Sequence, residues 1–397
     1  MPVIHTRVGV LLCFLAAVPP LSAQDAPDPG IPGFTLAFEE ARAKLISRAK
    51  DALTLGPFSV VHKKSTPPSG DKHDFYSLSP YHWPNSDKPD GVPYVFRDGE
   101  VNPEAETNAY DRVRYFALVD AVSVLSQAYY WTGDRTYADR TALLLRAWFV
   151  DPSTRMNPNL QYAQHVPGND SGPPWGVIRG AKLLEIIDGV KRIHPSGAWS
   201  PDDDAAFRTW LDLYLQWLQT SDKGKREAMA WNNHGTWYDA QAAGIAAYLG
   251  KREIVITILE NTRDARIGRQ FKPDGSQPLE TRRTKSWDYC IMNLEGWCRL
   301  ADLGEEMGVD LWNFSTAEGC GIMQALAYLT PFALGNAPWI HENIKDFSPE
   351  TIAPLLMRAA RASGDLEFHI YVSEIPGALP KLTVDALARP EYYKRSF

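Results

Sequence analysis

Helical periodicity runs through almost the whole of this 397-residue chain and constrains its fold more than any other feature. In "SPDDDAAFRTWLDLYLQWL", Ser200 stands as N-cap, Pro201 takes the first helical position and Asp203 the third. Phe207, Trp210, Leu211, Tyr214, Trp217 and Leu218 then recur at three- and four-residue spacing. "GDRTYADRTALLLRAWFVDP" repeats the grammar, with Asp134 as cap and Pro152 as stop. Similar patterns predict helices near 36–54, 108–131, 176–193, 236–249, 251–268, 285–303, 316–329 and 350–362. Alternating apolar and polar runs, the mark of half-buried strands, are nearly absent. Many helices of similar length joined by alternating short and long loops predict an all-α fold, an α/α toroid forming an incomplete barrel of antiparallel helix pairs. A helical solenoid is the runner-up, but it needs a fixed repeat of about 34 residues and none is visible.

Composition narrows the partners. With 48 Asp and Glu against 41 Lys and Arg, the net charge of −7 argues against a dedicated nucleic-acid binder. Residues 1–23 carry Arg7, the apolar run Val8 to Val18, a Pro19-Pro20 break and Leu21-Ser22-Ala23, the grammar of a secretory signal peptide. The expectation is a secreted or periplasmic protein whose residues 24–397 form one domain. No later apolar run is long enough to cross a bilayer, so no membrane partner is expected. Cys290 and Cys298, if on one helix, lie roughly 12 Å apart, beyond disulfide reach. With Cys320 they read as buried thiols, a single bridge to Cys320 being the other option. No HExxH, CxxC or EF-hand loop occurs, and nothing demands a metal or other cofactor. "NDSGPP" at 169–174 mimics a serine-protease signature but lies in a loop of a helical chain, without the β-barrel that motif needs.

Function is sought first in the long loops 57–107 and 151–175, because unstructured connections of that length inside a domain are usually functional. "SPYHWPNSDKPDGVPY" sets Tyr81, His82 and Trp83 among prolines and turn residues, where rigid rings suit a sugar face as well as packing. "AWNNHGTWYDAQ" places Asn232, Asn233 and His234 at the mouth of a helix, just ahead of Trp237 and Tyr238. "QPLETRRTKSWDYCIMNLEGW" places Arg282, Arg283 and Lys285 ahead of a helix whose apolar stripe is Trp287, Ile291, Leu294 and Cys298. Tyr289 therefore points away from the core, on the side of Lys285, Met292 and Gly296.

These segments, with "VNPE" at 101–104 and "NPNLQYAQHVPG" at 157–168, resemble the alginate-lyase-like superfamily of polysaccharide lyases from about residue 60 to 330. The resemblance implies a helical toroid that cleaves a polyuronate by β-elimination, metal-free in the best-known branch. By motif it implies Asn233, His234, Arg283 and Tyr289 as the catalytic set. It makes Tyr162, Gln164 and His165 of "QYAQH" binding candidates, beside Tyr81, His82, Trp83, Trp237 and Tyr238. Between Arg283 and Tyr289 this chain reads Thr-Lys-Ser-Trp-Asp, unlike the branch that acts on bacterial alginate.

The chemistry explains the residue types. β-Elimination takes the C5 proton of a uronate and expels the 4-linked oxygen, so the carbanion beside a carboxylate must be stabilised by donors and positive charge. Asn233, His234 and Arg283 are expected to supply these, Arg283 through a bidentate fork. In mannuronate and glucuronate, H5 and O4 share one side of the ring, so Tyr289 alone can carry the proton, and nearby cations are expected to favour its phenolate. In guluronate they lie on opposite sides, and His234 would be the base with Tyr289 as acid. Two other readings stand beside the lyase. One is an inverting glycoside hydrolase using a carboxylate pair drawn from residues such as Asp111, Asp239 and Glu280. The other is a non-catalytic polyuronate-binding protein.

Overall fold

The computed structural model describes residues 26–169 and 173–394; the signal-like residues 1–23 and Ser171 of the protease-like motif lie outside them. Helical segments, short 3₁₀ and π turns included, make up 61% of the described residues. The α-helices of the first half are α1 (Phe34–Ala52), α2 (Arg112–Thr132), α3 (Arg135–Leu145), α4 (Leu183–Ile193), α5 (Pro201–Thr220), α6 (Asp222–Ala228) and α7 (Asn233–Tyr248). The second half adds α8 (Arg252–Gln270), α9 (Pro278–Thr281), α10 (Ser286–Met307), α11 (Ile322–Ala333), α12 (Ala353–Ser363), α13 (Leu366–Glu374) and α14 (Ala378–Ala388). The capping box expected at α5 is present, with the Ser200 hydroxyl accepting from the Asp203 N–H and the Asp203 carboxylate from the Ser200 N–H.

The expected α/α toroid follows from which helices touch. Helices α1, α2, α4, α7, α10, α12 and α14 pack in that order around an inner ring, and α14 packs back on α1. Helices α3, α5, α8, α11 and α13 lie against this ring from outside. The Trp131 indole N–H donates to the Leu387 carbonyl at 2.9 Å, and Phe34 stacks on Tyr393, tying the two ends of the chain. Periodicity did not reveal α13 and α14. They span only nine and eleven residues, Pro376 and Gly377 lie between them, and Pro380 falls in the first turn of α14.

Another departure matters for the site. Instead of one helix over 176–193, a 3₁₀ turn-helix runs from Pro174 to Lys182 before α4 begins. Gly176 and Gly180 let this segment press into its neighbours. A Cβ at Gly176 would sit 2.1 Å from the Ala163 carbonyl oxygen, and one at Gly180 2.0 Å from the Tyr214 hydroxyl.

The two long loops join each other. Strand β1 (Tyr76–Leu78) pairs in parallel with β4 (Tyr162–His165), and β2 (His82–Trp83) pairs antiparallel with β3 (Val95–Phe96). A buried ion pair anchors them to the toroid. The Lys63 ammonium lies 2.9 Å from Asp111, whose carboxylate also accepts the Tyr76 N–H. Cys290, Cys298 and Cys320 are free thiols buried in the core.

Candidate active site

One large cavity of about 990 Å³ opens where these loops meet the inner ring. Helix α10 builds one wall by presenting two faces. Its apolar stripe of Trp287, Ile291, Leu294 and Cys298 is buried, whereas Lys285, Tyr289, Met292, Glu295 and Arg299 follow each other at three- to four-residue steps along the cavity. The mouth of α7 builds the facing part. Asn232 caps the helix, its side chain accepting the His234 N–H, and His234 lines the cavity.

Around Tyr289 the geometry is compact. Arg283 donates from Nη2 to the Tyr289 hydroxyl at 2.7 Å, and its guanidinium lies 3.9 Å over the ring. The Tyr289 hydroxyl donates to that of Tyr81 at 3.4 Å, and the Lys285 ammonium sits 5.3 Å over the Tyr81 ring. Arg283 itself is gripped from the far side. Asp98 accepts from its Nε at 3.0 Å and its Nη2 at 2.6 Å, and also from the Thr284 N–H. Nη1 is the guanidinium nitrogen that these bonds leave over.

The surroundings of the phenol change the electrostatics expected from sequence. Burial pushes the Tyr289 phenol well above its ordinary range, and Tyr81 and Asp98 add to the rise. Arg283 pulls the other way and loses. Arg283 was expected to create a phenolate; burial and the neighbouring Tyr81 outweigh it, with a smaller contribution from Asp98, and the resting site holds a neutral phenol. Burial alone would raise Asp98, but the bonds from Arg283 and the Thr284 N–H outweigh it and hold its carboxyl below the usual carboxylate range.

The imidazole is equally well anchored. His234 Nδ1 lies 2.6 Å from Glu227 Oε1, and the Glu227 side chain is only 2% exposed. An ionised carboxylate only accepts, so Nδ1 carries the proton, and in the neutral ring Nε2 is the basic nitrogen. Asn233 is placed differently from the expected donor. It lies fully buried behind the wall, its backbone N–H and Nδ2 donating to Glu280 at 2.7 and 2.6 Å, and its Oδ1 is left without a partner.

Among the binding candidates, Tyr81, His82, Gln164 and Trp237 line the cavity. His82 bonds to the Ser79 hydroxyl through Nδ1 and stacks on Trp175, and burial lowers its pKa. Gln164 adopts a left-handed backbone, φ 51°, with its amide directed to the Trp175 carbonyl. The Trp237 indole donates to the Met292 carbonyl and so fixes α7 to α10. Trp83, Tyr162, His165 and Tyr238 are not on the wall. Trp83 props the β2–β3 hairpin by donating to the Glu100 carbonyl, with Arg97 over its ring. Tyr162 and His165 belong to β4, and the Tyr238 hydroxyl donates to the Leu218 carbonyl.

The carboxylates proposed for a hydrolase are all committed elsewhere. Asp111 pairs with Lys63, Asp239 with Arg266 and Thr262, and Glu280 with Asn233; none reaches the cavity. Sequence reasoning missed Asp98 and Glu227, which sit in an irregular loop and a seven-residue helix and carry no motif. Among the described residues no cluster of three or more His, Cys, Asp or Glu side chains is arranged to hold a metal.

Residues 59–339 match the model of the family described as alginate lyase. The chain belongs to the alginate lyase family. An alginate lyase from Bacteroides ovatus superposes with a TM-score of 0.84 at 32% identity, over 90% of this chain and 94% of that one. Alginate lyase A1-III from Sphingomonas species A1 shares the fold, with a TM-score of 0.51 at 18% identity over 86% and 90% of the two chains. A variant of A1-III complexed with a tetrasaccharide aligns at 0.53 and 17% identity, covering 87% of this chain and 91% of that one. No curated protein matches. As a member of the alginate lyase family the protein is a polysaccharide lyase, and the cavity between α7 and α10 is its candidate active site.

Proposed function

We propose that this lyase cleaves a 1,4-linked polyuronate, mannuronate-rich alginate or β-1,4-glucuronan, by β-elimination, leaving an unsaturated uronate at the new end. One observation carries the reading: a phenol bonded to an arginine and an imidazole braced by a buried carboxylate open onto the same cavity. Arg283 Nη1 and His234 meet the carboxylate of the reacting sugar and spread the charge that builds up as C5 loses its proton. In a mannuronate or glucuronate chain Tyr289, once its own proton has left, takes H5 and passes it to O4 as the glycosidic bond breaks. Mannuronate and glucuronate differ only at C2, away from the reacting atoms, so contacts with the loops choose between them.

The neutral phenol favours a second reading for guluronate. His234 takes H5 from one face through Nε2, while the Tyr289 hydroxyl donates its proton to O4 from the other. The signal-like residues 1–23 fit an enzyme that works on polymers outside the cytoplasm, and export is part of the proposal.

The test uses purified protein with polymannuronate, polyguluronate and glucuronan, following the absorbance of the conjugated double bond together with reducing ends. A lyase raises both, a hydrolase raises reducing ends only, and a binding protein raises neither. Tyr289→Phe is expected to abolish turnover on the preferred polymer while oligosaccharide binding persists; a near-native rate in that variant refutes the role given to Tyr289.

A further inference from the structure

Behind the cavity wall, the segments that carry His234 and Arg283 are joined by a buried pair that the elimination does not touch. Asn233 is the first residue of α7 and Glu280 lies in the single turn of α9; they are 0% and 1% exposed, and neither lines the cavity. The Glu280 carboxylate directs both oxygens to one residue, accepting the Asn233 backbone N–H at Oε1 and its Nδ2 at Oε2, at 2.7 and 2.6 Å. His234 follows Asn233 directly. Arg283 stands three residues after Glu280, and its backbone N–H donates to the Glu280 carbonyl at 3.1 Å. Burial raises the Glu280 pKa against the pull of the Asn233 bonds and of nearby His234 and Arg283, so the carboxylate is within electrostatic reach of both. A second set of buried amides ties this pair to α10, the helix of Tyr289. Gln277, just ahead of α9, accepts from Asn293 Nδ2 at 2.9 Å. Gln270, at the end of α8, accepts from Asn293, Thr236 and Trp297 and donates to the Asn232 carbonyl at 3.1 Å. An apolar core would hold these helices together as well; a bonded polar network adds a single fixed arrangement.

Resting on the lyase reading above, we propose that Asn233 and Glu280 are positioning residues: their two-bond clamp fixes His234 and Arg283 relative to each other, and Asn233 gives the substrate no bond of its own. The polarity of Asn233 agrees. Its Nδ2 points to Glu280, and the atom left over is Oδ1, a buried acceptor without a partner, which a uronate carboxylate would repel. His234 and Arg283 come from separate stretches of chain, 49 residues apart by their numbers, and both must reach the same sugar. A rigid joint between the mouth of α7 and the α9 turn is what keeps that spacing when the substrate enters.

Exchanging the two ends of the side-chain bond decides between this role and direct contact with the substrate. Asn233→Asp sets two carboxylates against each other and is expected to lower kcat on the preferred polymer roughly 100-fold per folded molecule, the effect of reacting groups displaced by about 1 Å. Adding Glu280→Gln reverses the polarity of the bond: the new amide donates to the new carboxylate, and its oxygen still accepts the backbone N–H. The double variant is expected to recover at least about tenfold in kcat. A side chain that served the substrate through its own N–H could not recover, because aspartate has none. A double variant as slow as Asn233→Asp therefore overturns the clamp, as does an unaltered kcat in Asn233→Asp. Should that variant fold poorly, alanine is placed at each position and at both. Groups that act only through each other lose the same factor singly and together, and losses that multiply overturn the proposal. Should wild type release no unsaturated product from any polyuronate, the lyase reading falls by itself. The imidazole resonances of His234, assigned with His234→Gln, then decide the clamp: Asn233→Asp is expected to displace them and the double variant to return them, and resonances that stay in place overturn it.

Discussion

Asp98→Asn is the perturbation that interrogates the site most directly. It keeps the shape of the side chain and one acceptor oxygen for Arg283, but removes the negative charge. The Asp98 carboxylate and the Tyr289 hydroxyl share one nitrogen, Arg283 Nη2, at 2.6 and 2.7 Å, so they stand no more than about 5 Å apart. Across that distance, at an effective dielectric near 20, a unit charge is worth roughly 3 kcal/mol, or about two pH units on the phenol. Both partners of the fork retain 20% of their side-chain surface in solvent, and screening brings the expectation nearer one unit. The limb of the pH profile of kcat/KM that reports Tyr289 should therefore move to lower pH by about one unit in the variant. The accompanying change at neutral pH identifies the role. If the phenol must lose its proton before it attacks H5, activity at pH 7 rises, by up to about tenfold on mannuronate. If it acts as the acid, activity at pH 7 gains nothing and the alkaline limb closes in. Rates are read from product absorbance in overlapping buffers at constant ionic strength, with thermal unfolding of the variant recorded in parallel. A well-folded variant whose profile superimposes on wild type would refute the argument that Asp98 adds to the forces holding the phenol neutral.

Two further outcomes test the supports of the site. Glu227→Gln leaves an acceptor for His234 but removes its buried anionic partner; kcat should fall on the order of 100-fold with KM changed little, and an unaltered kcat in steady-state assays would show that the imidazole needs no brace. Gly180→Ala forces a Cβ to 2.0 Å from the Tyr214 hydroxyl and 2.1 Å from Gln241 Oε1, against a 2.9 Å bond between those two groups. It should cost on the order of 3 kcal/mol in denaturant unfolding, and an unchanged midpoint would contradict the close packing described for the 174–182 segment.

What the sequence revealed and what it withheld divide along the range of the forces involved. Tyr289 was legible because α10 must bury one stripe, so three-and-four spacing alone assigns the phenol to the opposite face, where the cavity lies. Asn232 and His234 were legible as a helix mouth for the same local reason. Asp98 is 185 residues from Arg283 in the chain, in a loop whose course is set by the β2–β3 hairpin and by tertiary bonds, and no periodicity reports such a meeting. Asp98 adds to the burial of Tyr289 and to the nearby Tyr81 in keeping the phenol neutral. The same holds for Asn233, whose motif position was readable but whose amide is consumed by Glu280 from 47 residues away. Spacing thus identifies which face of a helix is spared from the core, whereas the protonation state of a group on that face depends on partners delivered by loops. The chemistry assigned to Tyr289 consequently rests less on its own helix than on the burial and the neighbours, Tyr81 and the Asp98–Arg283 pair, that the loops bring to it.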